Sequence, residues 1–575
     1  MHTGRFPQAA ISSLRRPRLH LFPMRHTYSR RTPPSTGRHR SAYKRAMTNQ
    51  HDARPWWQGA VLYQIYPRSF ADSNGDGVGD LPGITARLDH VASLGVEAIW
   101  LSPFFTSPMV DFGYDVADYC DVDPMFGTLA DFDALVARAH ALGLKVVIDQ
   151  VYAHTSDRHA WFAESRSDRT NARADWYVWA DPKPDGTPPC NWQSVFGGPA
   201  WTWDARRRQY YMHQFLKEQP QLNCHNPAVQ DALLAASRFW LERGVDGFRL
   251  DALNHAMFDP KLRDNGVAHD DGPRTRPFDY QWRNRSQDHP GVVGLVERIG
   301  ALCREYGAVF TVAEVGGPKV MPLMKAYTAG EDRLSSAYSF DFLYAPALTP
   351  ALVAKTQKSW PGGAGEGWPS WAFENHDAPR SVSRWCAPED IPAFARMATA
   401  LLCCLRGNVF LYQGQELALE QDTIPFELLQ DPEAIANWPL TLGRDGVRTP
   451  IPWDAGAAHG GFTTGTPWLP LSAANAARAV TAQDADPGSH LNFTRAVLAL
   501  RKAHPALRVG SFINCRTRGA LLTFDRVDDG ETLHCAFNLG AEPIAHAGAA
   551  GEVVLAVNGA SGDAMPGFAA MVVKA

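Results

Sequence analysis

The sequence has 575 residues, of which 45% are hydrophobic and 11% aromatic, including 18 tryptophans. A chain of this length can bury a large core and carry one or two additional modules. Residues 1–50 contain 11 Lys and Arg and no acidic residue, so the remainder has 45 basic and 60 acidic residues. Proteins that bind nucleic acids usually present a basic surface, so this acidic body argues against a nucleic-acid partner.

The nine cysteines are scattered and contain no C-x-x-C pair. This pattern is typical of free thiols in a reducing compartment rather than of a disulfide framework or a zinc site, and it predicts a cytoplasmic location. No apolar run approaches the ~18 residues that a membrane-spanning helix requires. The longest candidate, residues 397–405, lies between Arg396 and Arg406 and is interpreted as a buried helix, so no membrane partner is expected.

Residues 1–46 are rich in Arg, Ser, Pro and His and show no hydrophobic periodicity. They contain too little apolar surface to fold alone, and they lack the continuous apolar stretch of a secretory signal. We interpret them as a disordered or spurious basic extension, with Met47 as a functional start. A transit peptide and a nucleic-acid-binding arm are the alternatives.

Deletion of residues 1–46 is therefore expected to leave the activity of the protein and its melting temperature essentially unchanged, because the segment has no packing pattern. Assays of the full-length and shortened proteins side by side would check this. A large loss of soluble, active protein on truncation would show that the segment is structural.

From residue 56 onward, short apolar runs alternate with segments of helical periodicity. Eight strands are predicted, at residues 60–66, 96–101, 145–149, 247–251, 308–313, 337–342, 370–373 and 408–412. Repeated β-then-α units indicate a parallel sheet, and eight of them fit a closed barrel. The predicted fold class is therefore α/β, a (β/α)8 TIM barrel with its chemistry at the carboxyl ends of the strands.

Four segments are predicted after the extension. Residues 47–154 hold barrel strands one to three, and residues 221–509 hold the remainder of the barrel. Residues 155–220, rich in Trp, Pro and Gly, are too long for an ordinary connection and are predicted to form an inserted subdomain that walls the active site. Residues 510–575 contain short alternating runs, which predict a C-terminal antiparallel β domain.

The strand at 247–251 carries an unusual pair of side chains. Period-2 alternation puts Phe248 and Leu250 on one face and Arg249 and Asp251 on the other. Because unpaired buried charge is costly, the pair is either a buried ion pair or part of a site. Other predicted strands also end in polar residues, namely Asp149 to His154, Glu314, and His376 with Asp377.

Three carboxylates at one end of one barrel favour a glycosidase over a purely structural interpretation. Cleavage of an acetal requires one carboxylate as the nucleophile and one carboxylic acid to protonate the leaving oxygen. A third charge can stabilise the oxocarbenium-like transition state.

These motifs resemble the α-amylase superfamily, glycoside hydrolase family 13. The resemblance rests on Gly-Phe-Arg249-Leu-Asp251, the Glu314 strand, Asn375-His376-Asp377, Asp149 to His154 and Tyr63-Gln-Ile-Tyr-Pro-Arg-Ser-Phe70. Gln219-Pro-Gln-Leu-Asn223 is similar to the signature of the oligo-1,6-glucosidase and α-glucosidase branch, with Gln221 where that branch usually has Asp.

The resemblance implies a role for each of these residues. Asp251 would be the nucleophile, Glu314 the acid/base and Asp377 the residue that stabilises the transition state. The implied substrate-binding residues are Asp111, Tyr114, His154, Phe196, Arg249, His376 and Arg380. Arg249 would also hold the Asp251 carboxylate ionised.

The same resemblance implies how a substrate chain end would be held. Asp111 would grip the terminal glucose, with Tyr114 stacked beneath it and Arg380 paired with Asp111. A pocket closed in this way would admit chain ends rather than chain interiors.

A glycine-rich loop follows the first predicted strand. Its predicted metal ligands alternate along the chain, as in a Ca²⁺ loop, and are Asp72, Asn74, Asp76, Val78 and Asp80. The loop resembles the metal loop of the α-glucosidase branch, so a structural Ca²⁺ or Mg²⁺ is expected and no organic cofactor. Gly83 stands where an EF-hand has Glu, and an Asx-rich turn without metal is the alternative.

Ala252 directly follows the implied nucleophile. In this branch Val at that position accompanies α-1,6 cleavage, and Ala or Thr accompanies α-1,4 preference. The resemblance therefore implies a retaining, exo-acting α-glucosidase that hydrolyses α-1,4 bonds of short oligosaccharides such as maltose, with transglucosylation.

Four other functions are weighed against this one. An α-glucosyltransferase and an oligo-1,6-glucosidase share the scaffold. A sucrose isomerase is disfavoured because the sequence has no Arg-Leu-Asp-Arg-Asp run. A non-catalytic transporter heavy chain is a remote alternative, because such proteins need a membrane anchor and have lost catalytic residues.

Overall fold

The computed structural model describes residues 54–269, 274–317, 319–360, 367–441 and 443–575. The predicted basic extension of residues 1–46 lies outside the described residues.

Eight parallel strands form a closed barrel in which each strand pairs with the next along the chain and the eighth pairs with the first. The strands are Val61–Ile65, Ala98–Leu101, Lys145–Val151, Gly247–Asp251, Phe310–Val315, Ser336–Ser339, Trp368–Ala372 and Asn408–Tyr412. The predicted (β/α)8 barrel is confirmed. The fifth strand extends two residues beyond its predicted end, so Glu314 lies within the strand rather than after it.

The helices cover the barrel because their apolar residues recur on one face. The helix Pro227–Glu242 begins at Asn226, whose side chain accepts a hydrogen bond from the Ala228 N–H, and it buries Val229 and Trp240 against the barrel. The α-helices are Leu81–Ser93, Leu129–Ala141, Ala160–Ser167, Pro227–Glu242, Val292–Arg304, Val320–Thr328, Pro350–Ser359, Ser381–Trp385, Ile391–Cys404, Pro432–Asn437, Ala473–Ala476, Val480–Asp484, His490–Ala503 and Pro505–Val509.

The apolar run at 397–405 lies in the helix Ile391–Cys404, which is buried along its second half as predicted. In the described part of the chain, no helix is both long and apolar enough to cross a membrane. All nine cysteines are free thiols.

The segment between the third and fourth barrel strands forms a small folded unit. It contains the helix Ala160–Ser167 and a three-stranded antiparallel sheet of Trp179–Ala180, Trp201–Asp204 and Gln209–Met212. Its own core includes Trp192 and Trp201. These two tryptophans of the segment therefore serve its packing.

The chain ends in an antiparallel sheet of five strands, Ser511–Arg518, Leu521–Asp528, Glu531–Asn538, Glu552–Val557 and Ala570–Lys574. This confirms the predicted C-terminal β domain. Arg526, which is fully buried, ties the sheet to the barrel by donating to the carbonyl of Cys404 at 2.6 Å and to that of Gly510 at 2.9 Å.

The remaining elements are short. Two-stranded pairs are Phe105–Thr106 with Asp118–Val122, Gly266–Val267 with Gln281–Trp282, and Ile544–Ala545 with Ala564–Met565. The 3-10 helices are Pro67–Ser69, Leu253–His255, Pro277–Tyr280, Pro388–Asp390, Gln415–Leu417, Phe426–Leu428, Asp445–Val447 and Ala458–Gly461.

Candidate active site

A cavity of about 330 Å³ lies at the carboxyl ends of the barrel strands. The side chains of Asp251, Glu314 and Asp377 line it together, as the strand-end pattern predicted. Phe196 and Phe215 of the inserted segment form part of its wall. The volume is at the lower end of the ~300–1,000 Å³ that small-molecule pockets occupy.

Arg249 connects the carboxylates at the base of this pocket. Its Nη1 lies 2.6 Å from Asp251 Oδ1 and 2.7 Å from Asp149 Oδ1, and its Nη2 lies 2.6 Å from Glu314 Oε1. The Tyr338 hydroxyl donates to the same Glu314 oxygen at 2.9 Å. One rigid guanidinium therefore fixes the positions of three carboxylates on neighbouring strands.

Burial and the positive charge of Arg249 shift the pKa values of these carboxyl groups in opposite directions. Burial raises the pKa of Asp251 well above its usual value, the Arg249 guanidinium opposes that rise, and the charges of Glu314 and Asp149 add to it. Burial likewise raises the pKa of Asp149 to about 6, against the effect of Arg249. Arg249 thus lowers the pKa of Asp251, in the predicted direction, but burial and the charges of the neighbouring acids together raise it further than Arg249 lowers it.

Asp377 has a different environment. Burial would raise its pKa, but His376, Arg444 and Arg448 together hold the pKa well below the usual range. Arg448 Nη2 lies 2.8 Å from Asp377 Oδ1, and Arg444 Nη1 lies 3.4 Å from the same oxygen. Asp377 is therefore a fixed negative charge, suited to accept hydrogen bonds from sugar hydroxyls.

His376 and Tyr114 form a stacked pair beside these carboxylates. Their rings are 5.5 Å apart and nearly parallel, and His376 Nε2 lies 2.6 Å from the Tyr114 hydroxyl. Burial lowers the pKa of His376 to about 3, so the ring is neutral. Gln64 Nε2 lies 2.7 Å from His376 Nδ1 and donates to it, which leaves the ring proton on Nε2, directed at the Tyr114 hydroxyl.

The far end of the pocket is closed by charged and aromatic side chains. Asp111 Oδ1 lies 2.9 Å from Arg444 Nη2, and Asp111 Oδ2 accepts from Gln219 Nε2 at 2.9 Å. The Arg444 guanidinium lies over the Phe196 ring, 5.1 Å from its centroid. His154 also lines this end, and burial lowers its pKa to about 4.

The predicted pairing of Asp111 with Arg380 is wrong, and Arg444 takes that place. Arg380 lies at the start of the helix Ser381–Trp385 and turns away from the cavity. It pairs with Glu374 at 2.9 Å and donates to the carbonyl of Gln413 at 2.8 Å. Arg380 therefore supports the wall behind the pocket.

Among the side chains that contact Glu314 or Asp377, three were not predicted, namely Tyr338, Arg444 and Arg448. Arg444 and Arg448 follow the eighth barrel strand at a spacing of four residues, in a segment with no apolar periodicity. Two arginines at this spacing outside a helix are a weak signal. Tyr338 lies in a buried strand, and a Tyr in such a strand is usually a packing residue, so the sequence gives no sign of its role.

The turn after Asp251 has an unusual backbone and is hydrogen-bonded to Gln221. Ala252 has φ 40° and ψ 42°, in the left-handed region, and its N–H donates to Glu314 Oε2 at 3.0 Å. Gln221 Nε2 donates to the His255 carbonyl at 3.0 Å. Gln221, at which the branch signature departs from Asp, thus anchors this turn.

The predicted metal loop forms successive Asx turns. Asp72 Oδ1 accepts from the Asn74 N–H at 2.9 Å, Asn74 Oδ1 from the Asp76 N–H at 2.9 Å, and Asp76 Oδ1 from the Val78 N–H at 2.9 Å. Asp80 instead caps the helix Leu81–Ser93, with Oδ1 accepting from a backbone N–H at 2.6 Å.

Within the described ranges, no group of three or more His, Cys, Asp or Glu side chains is placed to hold a metal ion. Burial raises the pKa of Asp72, but hydrogen bonds from Thr463 and backbone N–H groups outweigh it and keep the pKa below its usual value. Without Asp80, the predicted ligands are the carboxylates of Asp72 and Asp76, the amide oxygen of Asn74 and the carbonyl oxygen of Val78. Ca²⁺ binds amide and backbone oxygens as well as carboxylates, so this set of ligands fits Ca²⁺.

Known proteins resemble the chain over most of its length. The family model described as "Alpha amylase, catalytic domain" matches residues 64–510, and one described as a domain of unknown function (DUF3459) matches residues 513–572. A "Probable alpha-glucosidase" of Rhizobium meliloti (strain 1021) is 53% identical, covering 85% of this chain and 90% of the relative. An "Oligo-1,6-glucosidase" of Heyndrickxia coagulans is 36% identical, covering 84% of this chain and 92% of the relative.

Two solved structures share the fold. A crystal structure of an "alpha-glucosyl transfer enzyme, XgtA" has a TM-score of 0.87 and 50% identity, covering 91% of this chain and all of that one. The "trehalulose synthase MutB from Pseudomonas mesoacidophila MX-45" has a TM-score of 0.81 and 30% identity, with 91% and 100% coverage. The chain therefore belongs to the α-amylase family of glycoside hydrolases, in its α-glucosidase branch.

Proposed function

We propose that this protein is a retaining, exo-acting α-glucosidase that prefers α-1,4 bonds of short oligosaccharides such as maltose and also transfers glucose to other hydroxyls. The observation that carries the proposal is the shared Arg249, whose Nη1 and Nη2 contact Asp251 and Glu314 at 2.6 Å each. One guanidinium keeps the two carboxyl groups close, and retaining glycosidases have theirs about 5–5.5 Å apart.

In the proposed mechanism, Asp251 attacks the anomeric carbon while Glu314 protonates the leaving oxygen. The glucosyl–oxygen bond breaks as the Asp251–glucosyl ester forms. Glu314 then removes a proton from water, which attacks the ester and releases glucose with retained configuration. The ionised Asp377 stabilises the positive charge that develops on the sugar ring. This chemistry uses carboxyl groups throughout and requires no organic cofactor.

The closed far end of the pocket supports attack at chain ends. Asp111, Arg444 and Phe196 occupy the space into which a longer chain would extend beyond the terminal glucose. A small α-glucoside is therefore the proposed substrate. We also propose the cytoplasmic location that the scattered cysteines of the sequence predict, since disulfide frameworks are typical of oxidising compartments.

Two further activities use the same site. A hydroxyl other than water can attack the Asp251 ester, which would make the protein an α-glucosyltransferase, the activity for which the XgtA enzyme is named. Relatives named oligo-1,6-glucosidase make α-1,6 cleavage the other alternative. Ala252 is the residue that favours α-1,4 preference.

Product analysis by NMR separates these activities. Incubation with maltose, isomaltose and sucrose in parallel is expected to show faster glucose release from maltose than from isomaltose, with minor transfer products. Isomaltose as the better substrate would make oligo-1,6-glucosidase the function. Transfer products in large excess over free glucose would make it a glucosyltransferase.

Replacement of Ala252 by Val is expected to shift the specificity ratio from maltose toward isomaltose. The added methyl groups intrude where the α-1,4 aglycone leaves through a ring carbon, whereas an α-1,6 aglycone is held off by a methylene group. Such steric discrimination is worth about 1–3 kcal/mol, or roughly 10–200-fold in the ratio of kcat/KM values.

The left-handed backbone at Ala252 adds a cost of about 1–3 kcal/mol for any β-branched residue. The Val variant is therefore also expected to be less stable and less active on both sugars. Ala252→Thr has the same branch at Cβ and serves as the matched control. An equal loss on both disaccharides with Val would make Ala252 a packing residue and remove the support for α-1,4 preference.

We further propose that the Asp72–Asp80 loop binds a structural Ca²⁺ or Mg²⁺. Binding to the folded state alone stabilises it by mass action. Treatment with EDTA is therefore expected to lower the melting temperature while leaving the maltose-to-isomaltose ratio unchanged. An unchanged melting temperature, with no metal found by elemental analysis, would leave only the Asx-turn interpretation.

A further inference from the structure

Asp288 is a buried acid just outside the proposed catalytic set. Its side chain is 7% exposed, and among the described residues its Oδ2 has no hydrogen-bond partner. Its backbone has φ 62°, in the left-handed region that a residue with a Cβ rarely adopts. A strained backbone and an unpartnered buried oxygen each cost free energy, and such costs concentrate at functional sites.

The other carboxylate oxygen is the centre of a compact network. Asn254 Nδ2 donates to Asp288 Oδ1 at 2.7 Å and to the Gly316 carbonyl at 2.8 Å. Gln287 Nε2 lies 3.2 Å from the same Asp288 oxygen and 3.4 Å from the same carbonyl. The Asp288 N–H donates back to the Asn254 carbonyl at 2.9 Å. Two amide groups thus cross-link one carboxylate and one carbonyl.

This network joins the two chain segments that carry the reacting carboxyls. Asn254 follows Asp251 by three residues, and Gly316 follows Glu314 by two. Asn254 lies in the 3-10 turn that begins after Ala252, and that turn aims the Ala252 N–H at Glu314 Oε2. A shift of Asn254 would move both the turn and the strand end.

The chain segment after Glu314 is packed closely against its neighbours. A Cβ at position 317 would lie 2.4 Å from Gln287 Nε2, and Gly317 has φ +104°. A Cβ at Gly316 would lie 2.7 Å from the Phe340 ring. The glycines let the segment after Glu314 approach the amide groups closely, so the hydrogen bonds set its position.

We propose that Asn254 and Asp288 are positioning residues that fix the acid/base carboxyl of Glu314 relative to Asp251. The inference rests on the proposed function, since it requires Glu314 to protonate the leaving oxygen. Asn254 lines the cavity, but its amide hydrogen-bonds to Asp288 and to the Gly316 carbonyl rather than to the carboxyl groups of Asp251 or Glu314. Asn254 and Asp288 each act through the Ala252 turn and the Gly316 carbonyl.

Two substrates with different leaving groups test the proposal. The sugar that leaves from maltose must be protonated, whereas p-nitrophenolate leaves from p-nitrophenyl α-glucoside with little help from an acid. Asn254→Ala removes the two hydrogen bonds that the Asn254 amide donates to Asp288 and to the Gly316 carbonyl. Asp288→Gly removes the carboxylate that accepts one of them, and Gly tolerates the left-handed backbone at this position. Both variants are expected to lower kcat/KM on maltose by about 10–100-fold, which is part of the 10²–10⁴-fold that a general acid contributes to the rate. The same variants should change kcat/KM on p-nitrophenyl α-glucoside far less.

A conservative variant and a matched control test whether the effect depends on the position of these hydrogen bonds. Asp288→Asn keeps an acceptor oxygen and a residue that tolerates the left-handed region, so it should recover most of the maltose activity. Asn475→Ala removes another fully buried Asn, whose Nδ2 donates to the Glu420 carbonyl at 3.0 Å in a segment that does not line the cavity. It should leave the substrate ratio unchanged even if it lowers the melting temperature.

The ratio of the two kcat/KM values does not depend on the concentration of folded enzyme, so partial unfolding cannot imitate the expected effect. Equal losses on both substrates, or full maltose activity in Asn254→Ala, would overturn the positioning role. Glu314→Gln is measured alongside as the reference. If that variant retained maltose turnover, the proposed function itself would fail, which is a different outcome.

Discussion

The Asp251→Asn variant is expected to fold and to lose maltose turnover by several orders of magnitude. The substitution keeps the size of the side chain but replaces the carboxylate, which Arg249 Nη1 contacts at 2.6 Å, by a neutral amide that is a poor nucleophile. Without a nucleophile, the glucosyl ester cannot form. Glu314→Gln should cause a comparable loss on maltose, because the departing sugar then receives no proton. Steady-state kinetics on purified variants would measure both effects.

Asp246→Asn is the matched control for this prediction. Asp246 precedes the same barrel strand at its opposite end, where it pairs with Lys145 at 2.9 Å. Its substitution should affect stability but leave turnover nearly intact. Near-normal maltose turnover by Asp251→Asn would exclude the assignment of the nucleophile.

The same mechanism fixes the stereochemistry of the product. Two displacements at the anomeric carbon give net retention, so NMR at early times should detect α-glucose. β-Glucose as the first product would contradict a retaining mechanism even if the Asp251 variant were inactive.

Arg444→Leu is expected to have the second-largest effect, on both substrate binding and stability. Arg444 Nη2 lies 2.9 Å from Asp111 and 2.7 Å from Asp431, and Nη1 lies 3.4 Å from Asp377. Loss of one partner of a buried ion pair costs about 3–5 kcal/mol, because the other charge stays buried. A comparable loss in binding the terminal glucose would lower kcat/KM by about 10²–10⁴-fold, since 1.36 kcal/mol corresponds to a factor of ten.

The measurement is kcat/KM on maltose together with the melting temperature. Arg444→Lys keeps the charge but lacks the planar fork that serves two carboxylates at once, so only partial recovery is expected. Arg380→Leu is the informative control, because Arg380 pairs with Glu374 behind the pocket. It should lower the melting temperature with little change in KM. The reverse result would restore the pairing predicted from the sequence.

The barrel and the set of reacting carboxyls could be predicted because each signal is local. A short apolar run that ends in Asp or Glu predicts both a buried strand and the placement of the acid, whatever the rest of the chain does. Asp251, Glu314 and Asp377 line one cavity because parallel strands present their carboxyl ends at the same face. The similarity of these motifs to a known family then supplied the expected roles.

The partners of these residues could not be predicted in the same way. Asp111 and Arg444 are 333 positions apart, and no local pattern records which of several arginines reaches an acid across a pocket. The resemblance to the family implied Arg380 as the partner of Asp111, but Arg380 precedes the helix Ser381–Trp385 and pairs with Glu374 instead. The left-handed conformation of Ala252 is also invisible in the sequence, because Ala gives no sign of a positive φ.

The sequence by itself determined the strands, the polar residues at their ends and the family to which the chain belongs, since these depend on periodicity and short motifs. Only the tertiary structure decided that Arg249 serves several carboxylates, that Arg444 closes the pocket, and that Asn254 and Asp288 join the segments that follow Asp251 and Glu314. Those contacts join residues of different strands and loops, whose relative positions are set by long-range packing rather than by local propensity.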